Sequence, residues 1–333
     1  MTHAAMPRRT LLAVAAGLGG GSAAAQTAGQ DPEALSRQPV RLIVTAAAGG
    51  STDVVARIVA PGMSAALAGR PVLVENRGGG GGVIGAEAVA SAPPDGTALG
   101  FFTVTAAVLN ALLHKSMRFD TRKAFAPVSL VVTMPMVLTV GSHVPARTLP
   151  ELVALMRGRP GRLTYGSSGP GSINHLGAVM LNERTGTRAE HVPFRGAGPV
   201  FASMMAGQTD FLVEGIASQL PFVQQGSIRA LAVTSPQRSP LLPEVPTVME
   251  QGMADFEILN WMGDFAPAAT PAPIVARLEE AARAAVADPA TNRRLREAGV
   301  EPVGSTAAEL RRFWDAHFEL WGTVAASSGV SLD

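Results

Sequence analysis

The sequence predicts an α/β protein built on a mainly parallel sheet. Three observations predict it. Short β-branched runs alternate with helical stretches from residue 40 to residue 267. At two places such a run breaks into a small-residue loop and at once into a helix. From Pro273 onward the chain is helical and amphipathic.

Arg41-Leu42-Ile43-Val44 is the first strand, bounded and apolar. Ala46, Ala47, Ala48, Gly49 and Gly50 follow, side chains small enough for a ligand to approach the backbone closely. Ser51 or Thr52 can N-cap the next helix, and Asp53 in its first turn suits the positive end of the dipole. The helix runs towards Leu67, with Pro61-Gly62 expected to kink or end it early. A strand, a bare loop and an open helix N-terminus form an anion site, because unpaired N–H groups point at whatever lies above the loop. The blander reading is a turn that only lets helix and strand pack closely.

Pro71 to Asn76 is the next strand, followed by Arg77 and the glycines Gly78 to Gly82. Gly80-x-Gly82-x-x-Gly85 matches the dinucleotide fingerprint formally, but its spacing argues against nucleotide binding. Glu75, Asn76 and Arg77 separate the strand from the glycines, and the acid at the right distance, Asp95, lies in the turn Pro93-Pro94-Asp95-Gly96. Leu99 to Val104 is a strand and Ala106 to Leu113 a short helix. Phe125 to Val140 is strand material interrupted at Met134-Pro135, where a crossing between domains fits. Glu151 to Arg157 is helical, with a turn at Pro160-Gly161.

The second site candidate repeats the plan of the first. Leu163-Thr164-Tyr165 is a strand, Gly166 to Ser172 a hydroxyl-rich loop, and INHLGAVMLNERTG a helix capped by Ser172, with Ile173, Leu176, Val179 and Met180 on one face. Ser167 and Ser168 add hydroxyl donors to the bare N–H groups, so two such loops can clamp one anion. A serine nucleophile is the rival reading. Gly166-x-Ser168-x-Pro170 misses the nucleophile-elbow pattern at its last residue, and His175 is as readily a buried or solvated helix residue as a base. The six histidines include no H-x-x-x-H or H-E-x-x-H arrangement, so no metal site is expected. Arg195 and Glu214 fall at strand ends, where ligands are often met, although a solvated or paired charge is the commoner fate. In the last helix Leu310, Phe313, Trp314, His317, Phe318 and Trp321 step by three and four, the pattern of a core face.

At 333 residues, 47% hydrophobic and 16% charged, the chain has material for two cored domains and is not a disordered one. Its first 25 residues read as a signal peptide, with Arg8-Arg9, an apolar run from Thr10, and Ala23-Ala24-Ala25 as a cleavage site. The paired arginines resemble a twin-arginine signal, with general secretion as the alternative. No later run is long enough to span a membrane. Without Arg8 and Arg9 the chain carries 25 basic and 26 acidic residues, a balance that offers nothing to nucleic acid. There is no cysteine, so an exported fold must rest on its core alone.

VRLIVTAAAGGSTDVVAR, PVLVENRGGGGGVIGAEAVA with PPDG, LTYGSSGPGSINHLG, EHVPFRGAGP, AGQTDFLVE, IRALAVTSPQRSPLLPEVPTVMEQG and the tail W-x-G-x-x-AP-x-x-TP together resemble the substrate-binding proteins of tripartite tricarboxylate transporters, the Bug receptors. The likeness covers almost the whole chain after residue 25. It implies a two-domain Venus-flytrap fold of the periplasmic-binding-protein type with a ligand cleft, residues 26–135 and 258–333 forming one domain and 136–257 the other. It implies a periplasmic monomer that binds a small carboxylate without catalysis, cofactor or metal. A membrane permease of the tripartite type, or a sensor, is the implied partner. The residues carried over are Ala48, Gly49, Gly50, Ser51, Thr52 and Asp53 from the first loop and Ser167, Ser168, Gly169, Gly171 and Ser172 from the second. Where the family has Pro and an aromatic residue in the first loop this chain has Thr45, Ala46 and Ala47, which removes bulk from the cleft wall. A secreted hydrolase using a serine of the 166–172 loop is the alternative.

Overall fold

A computed structural model describes residues 38–114, 117–194 and 197–332. The expected signal peptide and Arg195 lie outside the described residues. β1 (Val40–Val44), α1 (Ser51–Ala66), β2 (Val72–Asn76), α2 (Val83–Ala90) and β3 (Ala98–Thr103) come first. A π-helical turn, Thr105–Leu109, runs into α3 (Asn110–Leu113), and α4 (Thr121–Ala124) leads directly into the long β4 (Phe125–Gly141). α5 (Leu149–Gly158), β5 (Thr164–Ser167), α6 (Ile173–Thr185), β6 (Glu190–Pro193), α7 (Ala197–Met205), β7 (Phe211–Gly215), α8 (Ile216–Gln224) and β8 (Ile228–Val233) alternate through the middle. β9 (Leu259–Pro267), α9 (Ala272–Ala287), α10 (Pro289–Glu297), β10 (Glu301–Pro302) and α11 (Ala307–Ser328) follow.

The strands lie in the order β2-β1-β3-β9-β4-β7-β5-β6, with β8 and β10 also pairing with β4. The sheet is mixed, which corrects the expectation of a mainly parallel one. β1 pairs in parallel with β2 and β3, as β5 does with β6 and β7. Every partner of β4, and the β3–β9 pair, is antiparallel. The reason lies in the connections. β4 and β9 are entered from a four-residue helix and an irregular segment, not from the long crossover helix that a parallel neighbour requires.

Pro135 does not interrupt β4. It pairs opposite Leu259 of β9, and from Met136 onward β4 pairs with β7 and β8 instead. A residue without an N–H therefore stands where the ladder changes partners, and the change of partners falls at the residue expected to mark a crossing. Pro61 does not end α1 either. It sits on the exposed face, as does Arg57, the residue whose carbonyl loses its donor. The next residue, Gly62, packs on α9, and a Cβ there would lie 2.9 Å from the Cβ of Ala285.

The two largest of four buried clusters cover opposite faces of the sheet. Ile43, Phe102 and Phe265 face α11, where Trp314 meets Phe265 edge-on at 4.9 Å and donates its indole N–H to Ala107 O at 2.9 Å. Leu42, Val44, Phe101 and Met262 face α1 and α9. The alternation follows the two-residue period of a strand, and the aromatic stripe of α11 is core as its spacing predicts. One residue breaks the pattern. Asp264 of β9 lies between Phe101 and Ser129 with no exposure, and neither carboxyl oxygen has a hydrogen-bond partner among the described residues.

Burial raises the Asp264 pKa well above the usual carboxylate value. A raised native pKa contributes stability that is present at low pH and is lost as pH climbs from the unfolded value towards the native one. Asp264→Asn is near-isosteric with the protonated acid. At pH 7 its melting midpoint should exceed that of the wild type, by roughly 2–4 °C for each kcal/mol relieved. The two curves should converge near pH 4, and a constant offset across the range would contradict the assignment.

Candidate functional site

The first loop is arranged from within. Thr45 is anchored on Phe101, whose carbonyl accepts both the Thr45 N–H and its hydroxyl. Asn76 Nδ2 donates to Ala46 O at 3.3 Å. Gly49, at φ +84°, turns the chain into α1, a conformation that glycine adopts freely. Neither Ser51 nor Thr52 is the cap, because Gly50 occupies that position and brings no side chain. The side chain of Asp53 takes over part of the role, accepting the Gly49 N–H at 2.9 Å and pairing with Arg57 at 3.0 Å. Those contacts, led by Arg57, hold the Asp53 carboxyl below its usual pKa. Ala47, Ala48, Gly49, Gly50 and Ser51 remain exposed, while Thr52 and Asp53 are buried. The loop thus offers bare backbone at the open end of a helix, and Asp53 holds its shape.

The glycine run beyond β2 packs against the chain itself. A Cβ on Gly82 would lie 2.9 Å from Ala106, and one on Gly85 2.7 Å from Arg77 O. Asn110 fills the space beside Gly81 and donates to its carbonyl at 3.0 Å. These close approaches account for the glycines without a nucleotide.

The second loop follows β5, as expected, and Ser172 caps α6 by accepting the His175 N–H. Its hydroxyls, however, are not free donors. Ser168 Oγ lies 2.6 Å from Asn174 Oδ1, and Ser172 Oγ donates to Gly169 O at 2.7 Å. Ser167 is fully buried, its Oγ 3.0 Å from Gly169 O and 2.6 Å from His191 Nε2. Asn174 Nδ2 donates to Val213 O at 3.0 Å and to Glu214 Oε2 at 2.8 Å. Glu214 Oε1 accepts the Gly215 N–H at 2.8 Å. Burial raises the Glu214 pKa, although the residue as a whole keeps some exposure.

Behind the loop the rings of His175 and His191 stack at 3.8 Å and 7°, and Tyr165 stacks on His191 at 5.1 Å. Gly171 N–H donates to His175 Nδ1 at 3.1 Å, which keeps that nitrogen unprotonated. Burial, helped by the neighbouring imidazole, lowers the His175 pKa to about 4. The histidine is thus a neutral support for the loop. As for the serine nucleophile, Ser168 meets an asparagine and Ser167, which does meet a histidine, is closed off.

The two loops are joined through the helical run after β3. Ala106 abuts Gly82, which itself packs on Thr45, and seven residues later Leu113 abuts Gly171, roughly 10 Å further along a helix axis. Sequence reasoning picked out both loops but not Asn174 or His191, whose roles come from partners distant in the chain. Glu214 was noted only for its position at a strand end. Among the described residues no group of three or more potential metal ligands is found, and no helix is long and apolar enough to cross a membrane.

The family model described as tripartite tricarboxylate transporter family receptor matches residues 55–330, beginning just past the first loop. The protein in the tcbD–tcbE intergenic region of Pseudomonas sp. (strain P51) is 34% identical over 309 residues, 92% of this chain and 91% of that one. Among solved structures, an R. palustris protein with adipate superposes at a TM-score of 0.79 with 31% identity, covering 88% of this chain and 98% of that one. The periplasmic binding protein BugD superposes at 0.76 with 32% identity, covering 89% and 99%.

A neutral native histidine with a depressed pKa loses stability as pH falls, because the unfolded chain takes up a proton near pH 6.5 and the folded chain only near 4. The full shift corresponds to about 3 kcal/mol. In His175→Asn the amide oxygen can still accept the Gly171 N–H. The gap in melting midpoint between wild type and this variant should be widest at pH 7 and should narrow steadily down to pH 4. A gap independent of pH would mean that His175 is not neutral in the native state.

Proposed function

Because the chain belongs to the tripartite tricarboxylate transporter receptor family, we propose that it is an extracytoplasmic solute receptor for a small carboxylate-bearing metabolite, taken up or sensed through a cleft between two domains. Its fold is the two-domain α/β fold of the periplasmic solute-binding proteins. One observation carries the reading: an exposed stretch of bare backbone, Ala47 to Ser51, at the N-terminus of a 16-residue helix whose cap has no side-chain hydrogen bond. Each charge-assisted hydrogen bond to a carboxylate contributes about 1.5–3 kcal/mol. The helix terminus adds about 0.3–1 kcal/mol. A micromolar affinity, about −8 kcal/mol, is within reach of a few such contacts after desolvation and closure are offset.

In this proposal the cleft is lined by Ala48, Gly49, Gly50 and Ser51 on one side and Ser168, Gly169 and Ser172 on the other, with the buried Thr52, Asp53, Ser167 and Gly171 supporting the two loops from behind. The ligand is a di- or tricarboxylate, an amino acid or an aromatic acid, and the adipate of the R. palustris relative is an acid of this class. One domain comprises residues 26–135 and 258–333, the other 136–257, a division supported by the change of partners of β4 at Pro135 and Met136. Closure is a hinge motion at the strands that cross between them. The protein acts as a periplasmic monomer, exported by residues 1–25 through general secretion or the twin-arginine route. It hands its ligand to a permease of the tripartite type or reports it to a sensor, with no chemistry of its own.

A thermal-shift screen of the full chain, refolded to remove any bound ligand, tests this against carboxylic acids and their amides or esters. An acid at about 100 times its dissociation constant should add about 2.7 kcal/mol of stability while its neutral analogue adds none. Ala48→Asp places a negative charge on the exposed loop. It should abolish the shift and leave the unliganded protein within about 0.5 kcal/mol of wild type. Stabilisation by esters or nucleotides with none by acids would overturn the reading.

A further inference from the structure

The near balance of charge along the whole chain is not uniform over its surface. Arg157, Arg159 and Arg162 fall where α5 ends and the chain turns into β5, and Arg184 and Arg188 fall where α6 ends and the chain turns into β6. The fold sets these two turns side by side. The Gly161 N–H donates to Arg188 O at 2.9 Å, and an Arg157 guanidinium nitrogen donates to Thr185 O at 2.9 Å. All five arginines are exposed. The acids among them are Glu183 and Glu190, so five positive charges meet two negative ones, a surplus of three.

Helix ends explain part of the cluster. Arg157 and Arg184 stand in the last turns of α5 and α6, where a cation meets the negative end of the helix dipole. Arg188 pairs with Glu190 at 3.1 Å, an exposed pair of little energetic weight. Neither reason covers Arg159 and Arg162, whose side chains have no partner among the described residues. Asp210, the next acid along the sheet, is already occupied by His143 and Thr164. The cluster also lies far from the second loop. β5 and β6 run in parallel away from it, and α6 returns from Ser172 to Thr185 over about 20 Å. What docks here leaves that loop uncovered, and nothing in the argument depends on what the cleft binds.

We propose that this arginine cluster is a docking surface for a membrane with anionic headgroups, on which the folded protein adsorbs without inserting. The cluster has the charge for such a surface and lacks what a protein interface is built around. Interfaces between proteins centre on buried aromatic or methionine anchors, with charge left at the rim. None of the large exposed apolar residues, Val54, Leu73, Ile84, Met205 and Val303, belongs to these two turns. Long arginine side chains on turns reach a layer of phosphates that has no fixed shape to match. With no apolar wedge beside them they hold the protein at the surface of the bilayer and not within it. Each arginine near an anionic surface raises partitioning about fivefold, so a surplus of three corresponds to about a hundredfold.

Sedimentation with lipid vesicles tests this at low ionic strength. Residues 10–18 are apolar enough to bind lipid by themselves, so the protein is taken as recovered after export. Phosphatidylcholine vesicles containing roughly a third phosphatidylglycerol should bind it on the order of a hundredfold more tightly than phosphatidylcholine alone, and molar salt should erase the difference. Arg159→Ala with Arg162→Ala and Arg184→Ala removes the surplus and should bring binding down to the level of neutral vesicles. The three side chains are exposed, so the melting midpoint should not fall. Arg293→Ala with Arg294→Ala and Arg312→Ala takes the same charge from exposed positions of α10 and α11 and should leave binding close to wild type. Equal binding to both kinds of vesicle overturns the inference. An equal loss in the two triple variants does so too, because it traces adsorption to net charge and not to this cluster. Retention on immobilised poly-glutamate without vesicle binding would assign the cluster to an acidic protein and overturn the lipid reading.

Discussion

Both halves of the sheet hang on one strand. The first part of β4 is held by β9, through which β3 and β1 are placed, and its second part is held by β7 and β8, with β5 beyond β7. One row of residues runs Val44, Phe101, Asp264, Ser129 and ends beside the first loop. Another runs Val140, Phe211, Tyr165 and ends beneath the second. A slip of one residue in either ladder would send every side chain in it to the opposite face. The separation of the loops and the orientation of their helices therefore depend on a register set deep in the sheet.

Within each loop a carboxylate does the orienting. Asp53 holds the Gly49 amide and answers Arg57, so the loop keeps its bend with almost no side chain at its tip. Glu214 holds Asn174, which holds Ser168. The stacked imidazoles of His175 and His191 support the second loop from behind with nitrogens kept neutral by burial. The loops thus present backbone and small polar atoms, while the charged and aromatic groups lie one layer further in.

Much of this was legible in the chain order, because the signals were local. A strand followed by small residues and then a capped helix depends on a dozen neighbours, and Ser172 behaves as its spacing requires. The stripe from Leu310 to Trp321 is buried for the same reason, with Phe313 half-buried at its edge. What failed was whatever depended on distant partners. Pro135 looks like an interruption until β9, more than a hundred residues away, is seen to pair up to that residue and no further. Pro61 looks like a helix end until it and Arg57, one turn earlier, are found on the exposed face and Gly62 is found against Ala285. The serines of the second loop look like donors because a hydroxyl can be either, and the choice is made by Asn174, Val213 and Glu214. The sheet is mixed although the sequence reads as parallel, because strand–helix alternation describes the ends of the sheet and not its two central strands.

Leu332, past the last helix, is part of the second loop's wall. The Leu332 N–H donates to Leu113 O at 3.1 Å, and its side chain closes over Gly171, where a Cβ would meet it at 2.8 Å. The same contact joins three stretches of backbone that are far apart in sequence. A label or an immobilising linker attached at Leu332 would be fastened to the second loop itself. A fluorophore attached there would report on the surroundings of Gly171, which makes Leu332 a natural place to read the loop and a poor place by which to hold the molecule.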